Sequence, residues 1–461
     1  MNSERIVQDM PTAGSFRIIP RAQHSISRKS ISAGALRVLY RLHEAGYQAL
    51  LVGGAVRDLL LGGHPKDFDV ATNATPEEVR ALFRNCRLIG RRFRLAHVVF
   101  GREIVEVATF RGSGDDGSGD RHLVDGRLVR DNVYGSLEED AVRRDFTVNA
   151  LYYDIADFSV RDSVGGMEDL QHRVLRLIGD PELRYREDPV RMLRAARLAA
   201  KLDFEIAPET AAPFAALGGL LVEAPPARLF DESLKLFLGG YGLASFRALE
   251  RYGLLEHVFP ATARALPPGA DTPFRRLLER TLASTDERVK ADKPVTPAFL
   301  FAAMLWEPVR AAAQAAIDAG TDAAIAWPHA AERVLREQAQ RVAIPRRFSI
   351  AVEEIWAMQP RFAQRTKKRA FRLLEHPRFR AAYDFLLLRA DESPELAELA
   401  AWWTEAQQLE HEQLAERLAA VPPPAAGAEG AGEGKRKRPR RRRRRKAQNA
   451  GAQSAAGDGG D

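Results

Sequence analysis

Cysteine is almost absent from the 461-residue chain, with Cys86 standing alone. An intramolecular disulfide is impossible and a cysteine-built structural zinc site is excluded, which fits a reducing, cytoplasmic setting. Cys86 itself reads as a small buried apolar residue. No apolar run approaches the ~20 residues that a membrane helix needs, so no membrane span is expected. The N-terminus lacks the charged-then-apolar pattern of a secretory signal. No GxxxxGK[ST] stretch occurs, which argues against a P-loop NTPase.

The charge is unevenly spread. The net of +7 conceals residues 435–446, where eleven Lys or Arg are interrupted only by Pro439; without those eleven the chain stands at −4. Such a run cannot fold on itself and attracts polyanions, nucleic acid above all. A solubilising tail is the plainer reading of the same run.

The stretch with the most chemistry is Leu50-Leu51-Val52-Gly53-Gly54-Ala55-Val56-Arg57-Asp58, followed by Pro65-Lys66-Asp67-Phe68-Asp69-Val70. An apolar strand enters a glycine turn, where the backbone can approach a ligand closely. A short helix follows, whose first N–H groups suit a phosphate. On a strand, Asp67 and Asp69 would share one face while Phe68 and Val70 point to a core. Two adjacent carboxylates repel unless a cation lies between them, and a hard ion such as Mg²⁺ is the usual solution. Glu106, set among apolar neighbours in a strand-like segment, is either a further carboxylate of that site or a half-exposed sheet residue.

Patterning divides the chain. Residues 1–30 are polar and irregular and read as a flexible arm. From 31 to 180 short helices and strands alternate, including two helices opened by capping boxes at Thr75/Glu78 and Ser136/Glu139. Within this head, the Gly-, Asp- and Arg-rich stretch 112–131 reads as a mobile loop. From 181 the pattern is helical almost throughout, with 181–240 as a neck and 241–420 as a body. Asp188-Pro189 is placed as a helix start, and Arg191 and Arg194 lie one turn apart on that helix. Residues 421–461 are expected to be disordered. The inventory of the head suits two-metal nucleotidyl transfer, in which catalysis rests on positioning and charge.

Four motifs in order carry a family resemblance: the glycine stretch at 51–58, Lys66-Asp67-Phe68-Asp69, Arg143-Arg144-Asp145-Phe146-Thr147-Val148-Asn149-Ala150, and Arg186-Glu187-Asp188-Pro189-Val190-Arg191-Met192-Leu193-Arg194. They resemble the class II template-independent nucleotidyltransferases of the DNA polymerase β superfamily, which comprise CCA-adding enzymes and bacterial poly(A) polymerases. Residues 86–97, Glu106-Val107-Ala108-Thr109-Phe110-Arg111 and Pro225-Pro226-Ala227-Arg228-Leu229-Phe230 are most similar to the poly(A) polymerase branch. None of the ten histidines precedes an aspartate, so the HD hydrolase domain fused to some CCA enzymes is missing.

The resemblance implies an α+β fold: a polymerase β-like α/β head, then a helical neck over 181–240 with base-recognition and RNA-binding helices, a helical body and RNA-binding region over 241–420, and a disordered basic tail. It implies addition of AMP from ATP to RNA 3′ ends with two Mg²⁺ ions, as in mRNA polyadenylation that promotes decay, with RNA-decay or RNA-chaperone proteins as partners. Gly53, Gly54 and Arg57 would hold the triphosphate, and Asp67 and Asp69 the metals. Asp145 would be the third acid, in competition with Glu106, and Arg144 would contact nucleotide. Asp188, Arg191 and Arg194 would read the base. CCA addition to tRNA is the alternative within the family, and an RNA-binding scaffold with an inactive head is the alternative outside it.

Overall fold

The computed structural model describes residues 16–90, 94–112, 121–124, 127–131 and 133–419. The tail expected to be disordered over 421–461, and the first fifteen residues of the expected arm, lie outside them.

The head is built on an eight-stranded mixed sheet. At its centre is β2 (Ala49–Val52), four apolar residues that are all buried because both faces of the sheet are covered there. It pairs antiparallel with β3 (Asp69–Thr72) on one side and β9 (Tyr152–Asp154) on the other. Beyond β9 lie β10 (Val160–Asp162) and the edge strand β1 (Arg17–Ile19). Beyond β3 lie β6 (Glu103–Thr109), parallel to it, then β5 (Leu95–Phe100) and β4 (Cys86–Ile89).

Helix α1 (Ala33–Glu44) covers one face, with Val38, Leu39 and Leu42 packed in one core with Val70, Val105 and Val107. On the other face Leu50, Val52, Ala71, Phe110 and Tyr152 form a smaller core with Leu137 and Ala141 of α4 (Leu137–Arg143). Between these come α2 (Gly54–Leu60) and α3 (Pro76–Leu82). Both expected capping boxes are formed, at Thr75/Glu78 and Ser136/Glu139. Each satisfies helix-end N–H groups that would otherwise lack partners.

Four expectations need correction. The arm is not irregular where it is described: β1 pairs with β10 and buries Ile19. Pairing with an existing edge stabilises a strand too short to show a sequence pattern. The stretch 112–131 contains a hairpin, β7 (Arg121–Val124) against β8 (Arg127–Asp131). Asp67 and Asp69 do not share a strand: β3 begins at Asp69, and Asp67 lies in the approach to it. Asp188 ends α6 (Pro181–Glu187) rather than opening α7 (Val190–Leu202), although its Oδ1 still accepts the N–H of Val190.

After α5 (Gly166–His172) and β11 (Val174–Leu175), the chain is helical to Ala419 apart from β12 (Glu205–Ile206), which pairs parallel with β11. That pairing ties the helical part to the head. Among the described residues, no helix is long and apolar enough to cross a membrane.

Candidate active site

The site forms where β2 ends and β3 begins. Sheet register aligns Val52, Asp69, Glu106 and His97 in one row across β2, β3, β6 and β5. Residues in register on neighbouring strands project from the same face, so Asp69 and Glu106 stand side by side, on the face that carries α4. Phe68 and Val70 are buried as the alternation demands, and they fix the direction of Asp69. Glu106 is half exposed, with its Oε1 3.2 Å from His97 Nε2.

Gly53 roofs this row. Its backbone has φ 76° and ψ −140°, a conformation that glycine alone tolerates well. A Cβ there would lie 3.7 Å from Arg144 Nη1 and 3.9 Å from Asp69 Oδ2, so the turn faces both groups directly. Gly54 lies over Arg57, which is buried and donates to Asp58 Oδ1 from Nε at 2.8 Å and from Nη2 at 2.6 Å. Arg57 Nη1 donates to Asn149 Oδ1. The glycine turn is thus braced from below by a buried arginine.

The electrostatics of the row call for a cation. Desolvation by the surrounding head, then the charge of Glu106, raise the carboxyl of Asp69 to about 6, with Asp67 adding to the effect and Arg144 opposing it. Arg144 sits beside Asp69 with its Nε 2.9 Å from the Tyr152 hydroxyl and its Nη2 3.0 Å from Asp140 Oδ2. Burial alone would lower its pKa, but Tyr152 and Asp140 hold it firmly charged.

Asp145 is placed differently. Burial alone would raise its carboxyl, yet Arg194, Asn149 and the N–H of Phe146 bring it down to about 2. Arg194 donates to Asp145 Oδ2 from Nε at 3.0 Å and again from Nη2. Phe146 N donates to Oδ1 at 2.9 Å. The backbone of Asp145 is also pinned, since its carbonyl accepts from Ile178 N. Asp145 therefore joins α7 to the end of α4 as an ion-pair anchor, while Glu106 is the carboxylate in register with Asp69.

The remaining candidates line the start of the helical part. Asp188 is gripped by Arg228, whose Nη1 and Nη2 donate to its two oxygens at 2.7 and 2.6 Å. Arg191 Nη1 donates to the Arg184 carbonyl at 2.7 Å and to Glu187 Oε2 at 2.8 Å. Arg184 in turn donates to the carbonyls of Arg143 and Arg144 at 2.8 and 2.5 Å. Sequence reasoning missed Arg184, Arg228 and Asn149 as parts of the site. Arg228 was visible only as a family marker, since nothing local links it to Asp188 forty residues earlier. Asn149 stood within the Arg143–Ala150 motif without a role; it bonds both Arg57 and Asp145.

A divalent metal fits the donor set. Asp67, Asp69 and Glu106 offer hard carboxylate oxygens, and Asp69 shows the mutual repulsion that a cation would relieve. Among the described residues, no three His, Cys, Asp or Glu side chains are already gathered as a metal cluster. Mg²⁺ takes one or two carboxylates and completes its shell with water and substrate phosphate.

Residues 49–176 match the family model for the poly A polymerase head domain. Residues 203–266 match the model described as the probable RNA and SrmB-binding site of polymerase A. Residues 319–446 match the polymerase A arginine-rich C-terminus. Poly(A) polymerase I of Escherichia coli O6:H1 is 56% identical over 85% of both chains. That of Haemophilus influenzae is 47% identical over 86% of this chain and 89% of its own. The CCA-adding enzyme of Bacillus pumilus is 37% identical, but over only 49% of this chain and 54% of its own. Among solved structures, the Bacillus stearothermophilus CCA-adding enzyme in complex with CTP has a TM-score of 0.52 at 26% identity, covering 84% of this chain and 80% of its own. A nucleotidyltransferase head of this kind takes a nucleotide substrate and, across the family, a divalent metal. With that extent of identity and three family models in order along it, the chain belongs to the poly(A) polymerase family of template-independent nucleotidyltransferases.

Proposed function

We propose that the chain carries out its family's reaction, addition of AMP from ATP to RNA 3′ ends without a template, at the row formed by Asp69 and Glu106 beneath the Gly53 turn. The observation that carries this reading is the juxtaposition of Asp69, Glu106 and Arg144 under Gly53. Asp67 and Asp69 would hold two Mg²⁺ ions, with Glu106 as the third carboxylate, and such ions would supply positive charge to the RNA 3′-hydroxyl and the triphosphate. Gly53 and Gly54 let the triphosphate lie against the backbone. Arg57 acts from beneath by holding Asp58 and Asn149. Arg144 places a fixed cation where negative charge builds as pyrophosphate leaves. Asp145 anchors Arg194 and so sets the head against α7. Asp188, oriented by Arg228, and Arg191, oriented by Glu187, present fixed donors and acceptors to the adenine edge.

The chain is read as a head over 31–180, a neck over 181–240 and a body over 241–420, with the basic segment 435–446 drawing RNA by charge. RNA-decay or RNA-chaperone proteins are the expected protein partners, and a cytoplasmic setting fits the lone cysteine. One assay tests the reading. Purified protein with Mg²⁺ receives ATP or CTP, with either a generic RNA or a tRNA lacking its 3′ end. Long A tails on generic RNA are expected. Addition that uses CTP and stops after a few nucleotides on tRNA would identify CCA addition, and no incorporation would leave an RNA-binding scaffold.

A further inference from the structure

The catalytic reading uses the head and α7, yet a strongly basic groove lies far along the helical part. It is a cavity of about 590 Å³ bounded by the helices Ala323–Ala339, Arg346–Phe362 and Lys367–Leu374. Arg361, Arg369, Arg372, His376 and Trp327 line it. Between residues 355 and 374 the chain has six cations, Arg361, Arg365, Lys367, Lys368, Arg369 and Arg372, and no carboxylate.

Arg361, Lys367, Lys368, Arg369 and Arg372 are exposed, and among the described residues none is paired with an acid. Arg365 lies over the Trp402 ring. Like charges three and four apart on the short Lys367–Leu374 helix repel each other, so the helix keeps a charge pattern that does not serve its own stability. Trp327 stacks on the buried Trp306 with ring centroids 5.6 Å apart, and its partly exposed side chain lines the groove. A second cleft that Trp327 also lines is rimmed by Glu332, Glu353 and Glu354. A polyanion is therefore attracted to one bank and repelled from the other.

We infer that this groove is a track for the single-stranded body of the RNA substrate, in which Arg361, Arg369 and Arg372 contact phosphates and Trp327 offers a stacking surface to a base. Cations along a groove with an interleaved aromatic ring are what sequence-independent single-strand binding requires. The inference rests on the proposed polymerase activity and gives it a second, remote point of contact, so that affinity grows as the primer becomes long enough to reach from the head to the groove.

The test uses the full chain and oligoadenylate primers of increasing length. Arg369→Glu/Arg372→Glu reverses two exposed groove charges. Arg333→Glu/Arg336→Glu makes the same net change on exposed positions of the Ala323–Ala339 helix outside the groove lining. The groove variant is expected to match wild type on the shortest primer that is extended and to bind long primers about tenfold more weakly, with a salt slope lower by about 1.4 for two phosphates left without a cation. The control variant should retain most of the gain in affinity with length. An equal loss in both variants, or a loss in the groove variant that is the same at every length, would overturn the groove as an RNA track. In each of these outcomes the wild-type protein still adenylates the shortest primer, whereas failure of the proposed activity would show as no incorporation by wild type at any length.

Discussion

Asp145→Asn provides the sharpest test of how the site is assembled. The substitution keeps the shape of the side chain and removes the charge that faces Arg194. The shift of the Asp145 carboxyl from 3.8 to about 2 corresponds to roughly 2 kcal/mol of stability. For a fully buried pair, leaving the cation without its partner raises the cost toward about 3–5 kcal/mol. Arg194 is 34% exposed and so partly screened by water, which sets the expected destabilisation at about 2–3 kcal/mol.

The sign with pH follows from the lowered pKa. The contribution is fully present above the unfolded value of 3.8 and is lost as pH falls from about 4 toward 2. Urea unfolding of wild type, Asp145→Asn, Arg194→Gln and the double variant forms a cycle. The double variant should be more stable than the sum of the single losses predicts, with a coupling of about 2 kcal/mol. Additive losses would refute the anchor. A stability unchanged in Asp145→Asn together with abolished incorporation, and tolerance of Glu106→Gln, would instead make Asp145 the third metal-site acid.

Other expectations follow from the same geometry. Gly53→Ala forces an L-residue into φ 76°, at a cost of about 1–3 kcal/mol; it should lower kcat far more than RNA affinity, measured by primer extension and filter binding. Arg228→Ala releases the Asp188 carboxylate, so the KM for ATP should rise and discrimination against CTP should fall; unchanged values for both would remove Arg228 from the site. Deleting residues beyond 434 takes away eleven cations. RNA binding should weaken, and its dependence on salt should flatten by about 0.7 for each phosphate that the tail no longer neutralises.

What could be read in the sequence was what short-range chemistry dictates. Phe68 and Val70 point inward by alternation, and Thr75/Glu78 and Ser136/Glu139 form their capping boxes because the partners are three residues apart. The glycine turn was legible because few residues tolerate the backbone of Gly53. The rest depends on register and long-range pairing. Glu106 stands beside Asp69 only because β6 runs parallel to β3 in that alignment, and a one-residue slip would turn it away. Strand β1 takes its shape from the edge of β10, while β7 and β8 pair with each other inside a stretch rich in Gly, Asp and Arg, so local composition favoured an irregular reading of both. The pairing of Arg228 with Asp188 and of Arg194 with Asp145 joins residues 40 and 49 positions apart, beyond any helical or strand period.

The central claim is that Asp69 holds metal for nucleotidyl transfer and not RNA. Asp69→Ala should be assayed for AMP incorporation with Mg²⁺ and, in parallel, for RNA affinity. The account predicts incorporation lost by about 10²–10³-fold, comparable to the removal of a principal charge-stabilising group, with RNA affinity within about twofold of wild type. Near-wild-type turnover in Asp69→Ala would contradict it.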